Sequence, residues 1–308
     1  MPESLEVSHE VSSALNRNSP VVALESSVIA QGLPAKVNVE TALAMEANVR
    51  AAGAEPATIG VIDGKIKIGL SKEEIERLGE GKAEKLAARD IPYALARRVD
   101  GGTTVSATAR LAALAGISVM ATGGIGGVHR GYAQTHDVSA DLWELARTPI
   151  AVICSGAKAV LDIPATLEWL ETHGVPVYGY QTDKFPAFYS RSSGLPVPKI
   201  ESACDFAEIV KLSVGAMGMR SAVIVAVPVP DKSAVDVSEQ IEQAASEAAG
   251  EGITGKQVTP YLLSRVAELT EGKSMDANIA LLKNNATVAA EIASELMETS
   301  RRRMGFSV

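Results

Sequence analysis

Short, uninterrupted apolar runs alternate along the chain with stretches whose apolar residues return every three or four positions. Val21-Val-Ala-Leu24 has the form of a strand covered on both faces. From about Val37 to Ala52 the positions Val39, Ala42, Leu43, Met45, Ala47 and Val49 roughly follow a 3.6-residue period, which predicts a helix ended by Gly53. Ala57 to Ile62 reads as the next strand. Asp63-Gly64 is a hairpin signal, and the alternating segment Lys65 to Leu70 should return antiparallel, so a mixed sheet is expected. Ser71 with Glu74 forms a capping-box pattern that opens a further helix.

The alternation continues. A helix is predicted from Thr104 to Ala115 with Gly116 as its stop, then a strand from Ile117 to Ala121. A short helix follows from Ser139 to Leu145, a buried strand from Ile150 to Cys154, and a helix from Pro164 to Thr172 ended at Gly174. Val175 to Tyr180 and Ala222 to Val227 read as strands, and the chain beyond Ser238 as mostly helical. No repeat or linker divides it. The expected architecture is α/β: one domain spanning residues 1–308, a three-layer α/β/α sandwich around a mixed central sheet. In such sheets ligands collect beyond the carboxyl ends of the strands, and the runs ending at Glu25, Thr122 and Ser155 could converge there.

Composition narrows the partners. Apolar residues are 46% and aromatics 4% of 308 residues, which fits helices packed closely on a sheet through small aliphatic side chains. A net charge of −8 disfavours nucleic-acid backbones and anionic membranes, without excluding a local basic pocket for one phosphate. No signal peptide and no transmembrane run is read, so cytoplasm is the default. Cys154 and Cys204 have no metal or disulfide spacing and are expected to be inert core residues.

Five segments carry candidate chemistry. Thr122-Gly-Gly-Ile-Gly-Gly-Val-His-Arg-Gly131 follows a strand. Its glycines would let backbone approach a ligand and offer N–H groups to an anion, with His129 and Arg130 beside them. Plain packing is the alternative, and the spacing is a poor dinucleotide fingerprint. Asp137-Val-Ser-Ala-Asp141 could hold a hard divalent ion through oxygen, or Asp137 or Ser139 could cap a helix. Lys158 leaves an apolar strand, where desolvation would make a neutral, nucleophilic amine available; a snorkelling surface lysine is the alternative. Glu25 ends the first apolar strand, where partial burial suits acid catalysis, or where it is a solvated end or a capping network with Ser26 and Ser27. Gly101-Gly-Thr-Thr-Val105 is expected to open a helix whose free N–H groups make an anion site, with Lys85 and Arg89 upstream.

Several of these segments together resemble the pseudouridine-5′-phosphate glycosidase family, which includes the indigoidine-synthesis A proteins. They are Glu25-Ser-Ser-Val-Ile-Ala-Gln-Gly-Leu-Pro34, Pro56 to Gly64, Gly101 to Val105, Ala121 to Gly131, Asp137 to Leu142, Gly156-Ala-Lys158, Thr182 to Tyr189 and Asn278 to Asn285. They keep one order from about residue 20 to 295.

The resemblance implies reversible cleavage of the C–C glycosidic bond of pseudouridine 5′-phosphate to uracil and ribose 5-phosphate. It implies Lys158 as nucleophile at ribose C1′, Glu25 as proton donor and Asp137 as ligand of one Mn2+ per subunit. Substrate contacts are implied at Lys85, Val105, Ser139, Ala140, Asp141 and either Asn285 or Asn278, with Asn285 preferred. Thr122 and His129 of the glycine-rich run join them, and Asp141 or a metal-bound water would protonate uracil C5. The phosphate is expected among Thr103, Thr104, the glycine loop and Lys85, in a homotrimer. Gln31, where a histidine is common, and Ala35-Lys36 depart from the family pattern, and the segment near Lys85 is shorter than usual. A ribokinase-like sugar kinase, a Schiff-base aldolase of another fold and a non-catalytic sugar-phosphate-binding regulator are the rival readings. Uracil release, ATP-dependent phosphorylation or binding without product would separate the glycosidase, the kinase and the regulator.

Overall fold

The computed structural model describes residues 4–253 and 258–305. Its strands are β1 (Leu5–Val7), β2 (Val21–Leu24), β3 (Glu55–Ile62), β4 (Lys65–Ile68), β5 (Glu84–Leu86), β6 (Gly101–Thr103), β7 (Val119–Ala121), β8 (Ala151–Cys154), β9 (Val177–Tyr180), β10 (Lys199–Ile200) and β11 (Val223–Ala226). They run across the sheet in the order β1-β4-β3-β2-β7-β8-β11-β9-β10, with β6 attached to β3 and β5 to β6. The hairpin β3–β4 and the pair β3–β6 are antiparallel, whereas β3, β2, β7, β8, β11, β9 and β10 are parallel neighbours. The sheet is therefore mixed, as the Asp63-Gly64 signal implied. Both turn residues have positive φ, 51° and 75°, the backbone a tight hairpin requires.

Every residue of β2, β7, β8 and β11 is buried. Successive side chains of a strand face opposite ways, so burial of all of them requires cover on both faces. The helices supply it. The long α12 (Lys273–Gly305) packs with α2 (Val37–Ala51) and α9 (Ala203–Val210) and lies against β2, β7 and β8. The helix α5 (Val105–Leu114) packs with α7 (Ala140–Leu145) and against β2, β3 and β7.

Strand β3 decides where the crevice forms. Its first half, Glu55 to Thr58, pairs with β2; beyond that point Gly60 and Val61 pair with β6. The chain leaving β2 at Glu25 must peel away from β3. Ser26 marks the fork, its N–H donating to Thr103 O at 3.2 Å and its hydroxyl to Ile59 O at 2.5 Å. Gly102 permits it, since a Cβ there would lie 2.5 Å from Ser26 O. The segment read as a helix opening is thus strand β6 as far as Thr103, and helix α5 begins at Val105 with Thr104 as N-cap. Strand β7 likewise begins at Val119, later than the predicted Ile117, because Ile117 N–H still closes the preceding helix on Ala112 O.

Candidate active site

Three strand ends meet at this fork. Glu25 follows β2 and is buried. Its two oxygens accept from Ser27 Oγ at 2.7 Å and from Thr122 Oγ1. Thr122 follows β7 and is fully buried; its hydroxyl is spent on orienting Glu25. Lys158 comes from the loop after β8, where its N–H donates to Ile125 O at 3.0 Å, so the glycine-rich run and the lysine loop are clipped together. Lys85, on β5, lines the same space as Lys158. Burial pulls the Lys85 ammonium below the usual lysine value, and the charge of Lys158 pushes the same way; Asp141 and Glu25 oppose the shift.

The anion-receiving helix start has an occupant within the chain. Asp141 Oδ1 accepts from Ser106 N at the start of α5, and its Oδ2 accepts from Gly126 N, both at 2.9 Å. Thr103 is fully buried, its hydroxyl donating to Ile59 O at 2.7 Å. The expectation that a substrate phosphate sits on Thr103 and free N–H groups here is therefore corrected. An internal carboxylate already takes the Ser106 and Gly126 N–H groups, the Thr103 hydroxyl is spent on Ile59 O, and of the two threonines only Thr104 reaches the cavity.

The glycines of the run serve packing more than exposure of N–H groups. A Cβ on Gly126 would lie 2.1 Å from Ser139 Oγ, and one on Gly127 2.3 Å from Thr166 Oγ1. Val128 N donates to that same threonine hydroxyl at 3.0 Å. Ser139 caps α7 by accepting from Asp141 N at 3.2 Å, which settles the choice between Asp137 and Ser139 as cap.

Two connected spaces result. An outer cavity of about 1210 Å³ is lined by Lys85, Lys158, His129, Arg130, Asp137, Ser139, Ala140 and Asp141, among others. An inner recess of about 60 Å³ is lined by Glu25, Gln31, Lys85, Lys158, Phe188, Leu263, Asn278 and Leu282 with Gly123 and Gly124. Gln31, Lys85, Lys158 and Thr259 face both spaces. Burial holds His129 below the usual imidazole value, against the pull of Asp137 and with a push from Lys85 and Lys158.

Two sequence-predicted contacts lie elsewhere. Val105 has its side chain in the core and lines neither space. Asn285 is fully buried beneath the glycine-rich run, donating to Thr122 O at 2.8 Å and bonded to Ser155 Oγ at 3.1 Å, while Asn278 reaches the recess. Sequence reasoning also missed Thr259, Leu263 and Leu282, whose helical period shows an apolar face without showing what it covers. Cys154 is buried, its thiol pushed up to about 12 by burial, as an inert core residue would be. Cys204 is exposed on α9, contrary to expectation, because that face of the helix turns to solvent.

Among the described residues no three acidic, histidine or cysteine side chains gather as a metal cage. Asp137 Oδ2 stands 3.8 Å from His129 Nδ1 at the cavity wall. One carboxylate there fits an ion that keeps most of its waters, as hard divalent cations do beside a phosphate.

A family model for indigoidine synthase A like proteins matches residues 10–295. The chain belongs to this family. Among relatives of this indigoidine synthase A-like chain is a pseudouridine-5′-phosphate glycosidase of Caldanaerobacter subterraneus, 52% identical over 301 residues, covering 96% of this chain and 98% of that protein. The Escherichia coli pseudouridine-5′-phosphate glycosidase is 49% identical and covers 96% of each. Of solved structures, the prealnumycin C-glycosynthase AlnA in complex with ribulose 5-phosphate superposes with a TM-score of 0.91 at 40% identity, covering 98% of this chain and 100% of that one. An indigoidine synthase A-like protein from Thermotoga maritima gives 0.87 at 38% identity over 95% of this chain and 96% of its own.

Proposed function

We propose that this chain is a pseudouridine-5′-phosphate glycosidase, cleaving the bond between ribose C1′ and uracil C5 reversibly to give uracil and ribose 5-phosphate. The observation that carries the reading is one space shared by a buried carboxylate, two lysines, a cationic side suited to phosphate and an apolar side suited to a base.

Lys158 Nζ attacks C1′ as the C1′–O4′ bond breaks, and Glu25 gives its proton to O4′. Uracil C5 then gains a proton, and the C1′–C5 electron pair returns to the uracil ring. The Lys158 nitrogen, having lost a proton to the Glu25 carboxylate left by the first step, uses its lone pair to form a C1′ iminium, which water hydrolyses to ribose 5-phosphate and free amine. Lys85, His129 and Arg130 hold the phosphate side. Asp141 keeps a second lone pair on each oxygen for a substrate hydroxyl or for the water that supplies the C5 proton. Asp137, with His129 beside it, would hold Mn2+, which when bound supplies positive charge near substrate oxygens. Among the described residues no helix is long and apolar enough to cross a membrane. The reading takes the protein as a cytoplasmic homotrimer of one-domain subunits, and sedimentation tests the assembly.

The deciding measurement is release of uracil from pseudouridine 5′-phosphate with Mn2+, joined to borohydride trapping of a sugar adduct. Wild type should give both, and Lys158→Ala neither. No adduct in wild type, or an adduct persisting in the variant, would overturn the role of the lysine.

A further inference from the structure

The two spaces meeting at Lys158 differ in chemistry. Arg130 and Arg89 line the outer cavity alone, whereas Val28, Phe188, Leu263 and Leu282 line the recess alone. A phosphate dianion belongs with the cations, because burying it among leucines would leave its charge uncompensated. With ribose C1′ at Lys158 and the phosphate outward, the group bonded to C1′ points into the recess. That recess is about 60 Å³ against about 1210 Å³ outside, so size is tested on the base side alone. Its walls come from separate elements. Leu282 stands on α12, Leu263 on α11 (Val258–Leu269), and Phe188 in the loop between β9 and β10. Gln31 and Asn278 are the two carboxamides of the lining, each able to donate and accept toward a cyclic amide or imide edge.

We infer that Leu263 and Leu282 set the aglycone specificity, admitting a single six-membered ring with an amide or imide edge and rejecting fused bicyclic carbon nucleophiles. This rests on the glycosidase reading and adds to it the residues that choose the base. In the synthetic direction the enzyme joins C1′ of ribose 5-phosphate to a nucleophilic ring carbon with loss of water. Barbiturate offers such a carbon in one ring, and 4-hydroxyquinolin-2-one offers one in two fused rings. Neither requires an added oxidant or reductant.

The test incubates wild type, Leu263→Ala and Leu282→Ala with ribose 5-phosphate, Mn2+ and each of uracil, barbiturate and 4-hydroxyquinolin-2-one, and reads C-glycoside by mass spectrometry. Wild type should couple uracil and barbiturate and leave the bicycle untouched. Truncating a leucine should raise the bicycle-to-uracil ratio of kcat/KM at least about tenfold, the scale on which single methylenes are sorted in apolar pockets. Two variants on different helices keep the test alive if one fails to fold, which circular dichroism reports. Wild type coupling the bicycle as well as uracil, or folded variants with an unchanged ratio, overturns the inference. Absence of uracil coupling in wild type instead overturns the glycosidase reading on which it stands.

Discussion

Among the described residues no charged group is bonded to Glu25; two hydroxyls, from Ser27 and Thr122, set its geometry. Thr122 is thus placed to position the carboxylate, although the sequence reading put it among the candidate substrate contacts. Thr122→Val keeps the shape and removes the donor. A hydrogen bond contributes about 0.5–1.5 kcal/mol, so kcat should fall roughly two- to tenfold with KM little changed. Thr122→Ser should recover most of the loss, and a larger effect on KM than on kcat would restore the substrate-contact role. Lys85 carries a different cost. Its folded pKa lies below 10.5, so folding at neutral pH has to bury an ammonium, and stability rises as pH climbs from the folded value toward 10.5. Lys85→Met should therefore melt at a higher temperature at pH 7 and lose that alkaline rise, while KM for pseudouridine 5′-phosphate increases; an unchanged or lower melting temperature would contradict the burial cost. At this scale the sequence was legible where polar residues end apolar runs, as Glu25 and Lys158 do. It could not choose between Asn278 and Asn285. Seven residues are two helical turns, so both lie on one face, and only the tertiary fold sets one at the recess and the other beneath the glycine loop.

The glycine-rich run, as an element, is a packing device whose free space is taken by its own chain. Gly126 touches the cap of α7 on one side and gives its N–H to Asp141 on the other. Through Asp141 it is joined to the start of α5. Gly126→Ala would force Ser139 and Asp141 aside, costing about 1–3 kcal/mol as an overpacked site does. Its urea midpoint should drop and activity with it, because Ser139 and Asp141 face the cavity. Gly215→Ala is the control, with nothing within 4 Å of its added Cβ. Equal midpoints for the two variants would show that the run tolerates a side chain. Hydrophobic period located the longer strands and the helices α2, α5 and α7 within a residue or two, but not the helices His9–Asn16, Ile91–Arg97, Tyr132–Thr135 and Ala203–Val210. It missed β1, β5, β6 and β10, which have two or three residues each and too few positions to display a period. The glycines of β6 read as a helix opening for the same reason. Only Leu86 and Ser26 packed against them make an extended path visible.

For the whole molecule, alternation of apolar runs and helical stretches was enough to give the layered sheet and its covered faces, since that rests on burial, and the Asp63-Gly64 turn was enough to make it mixed. Where the sheet forks was not legible, because β3 changes partner from β2 to β6 through a pairing 42 residues apart in sequence, between Gly60 and Gly102. The fork is what brings Glu25, Lys85 and Lys158 to one space, so binding there couples to the stability of the whole sheet. A ligand that binds only the folded state stabilises it by RT ln(1 + [L]/Kd), about 2.7 kcal/mol at a hundredfold excess over Kd. Ribose 5-phosphate should therefore raise the melting temperature. Mn2+ alone, held by one carboxylate and water, should raise it less. Together they should exceed the separate shifts, because an ion that retains its waters gains ligands from the bound sugar phosphate. Asp137→Asn should abolish the shift due to Mn2+ and the excess while preserving the shift due to ribose 5-phosphate. Thermal melts in the four ligand conditions, on wild type and variant, check this without measuring turnover. Equal Mn2+ shifts in both proteins would take the metal away from Asp137. Loss of the ribose 5-phosphate shift in the variant would make Asp137 a sugar-phosphate contact in its own right.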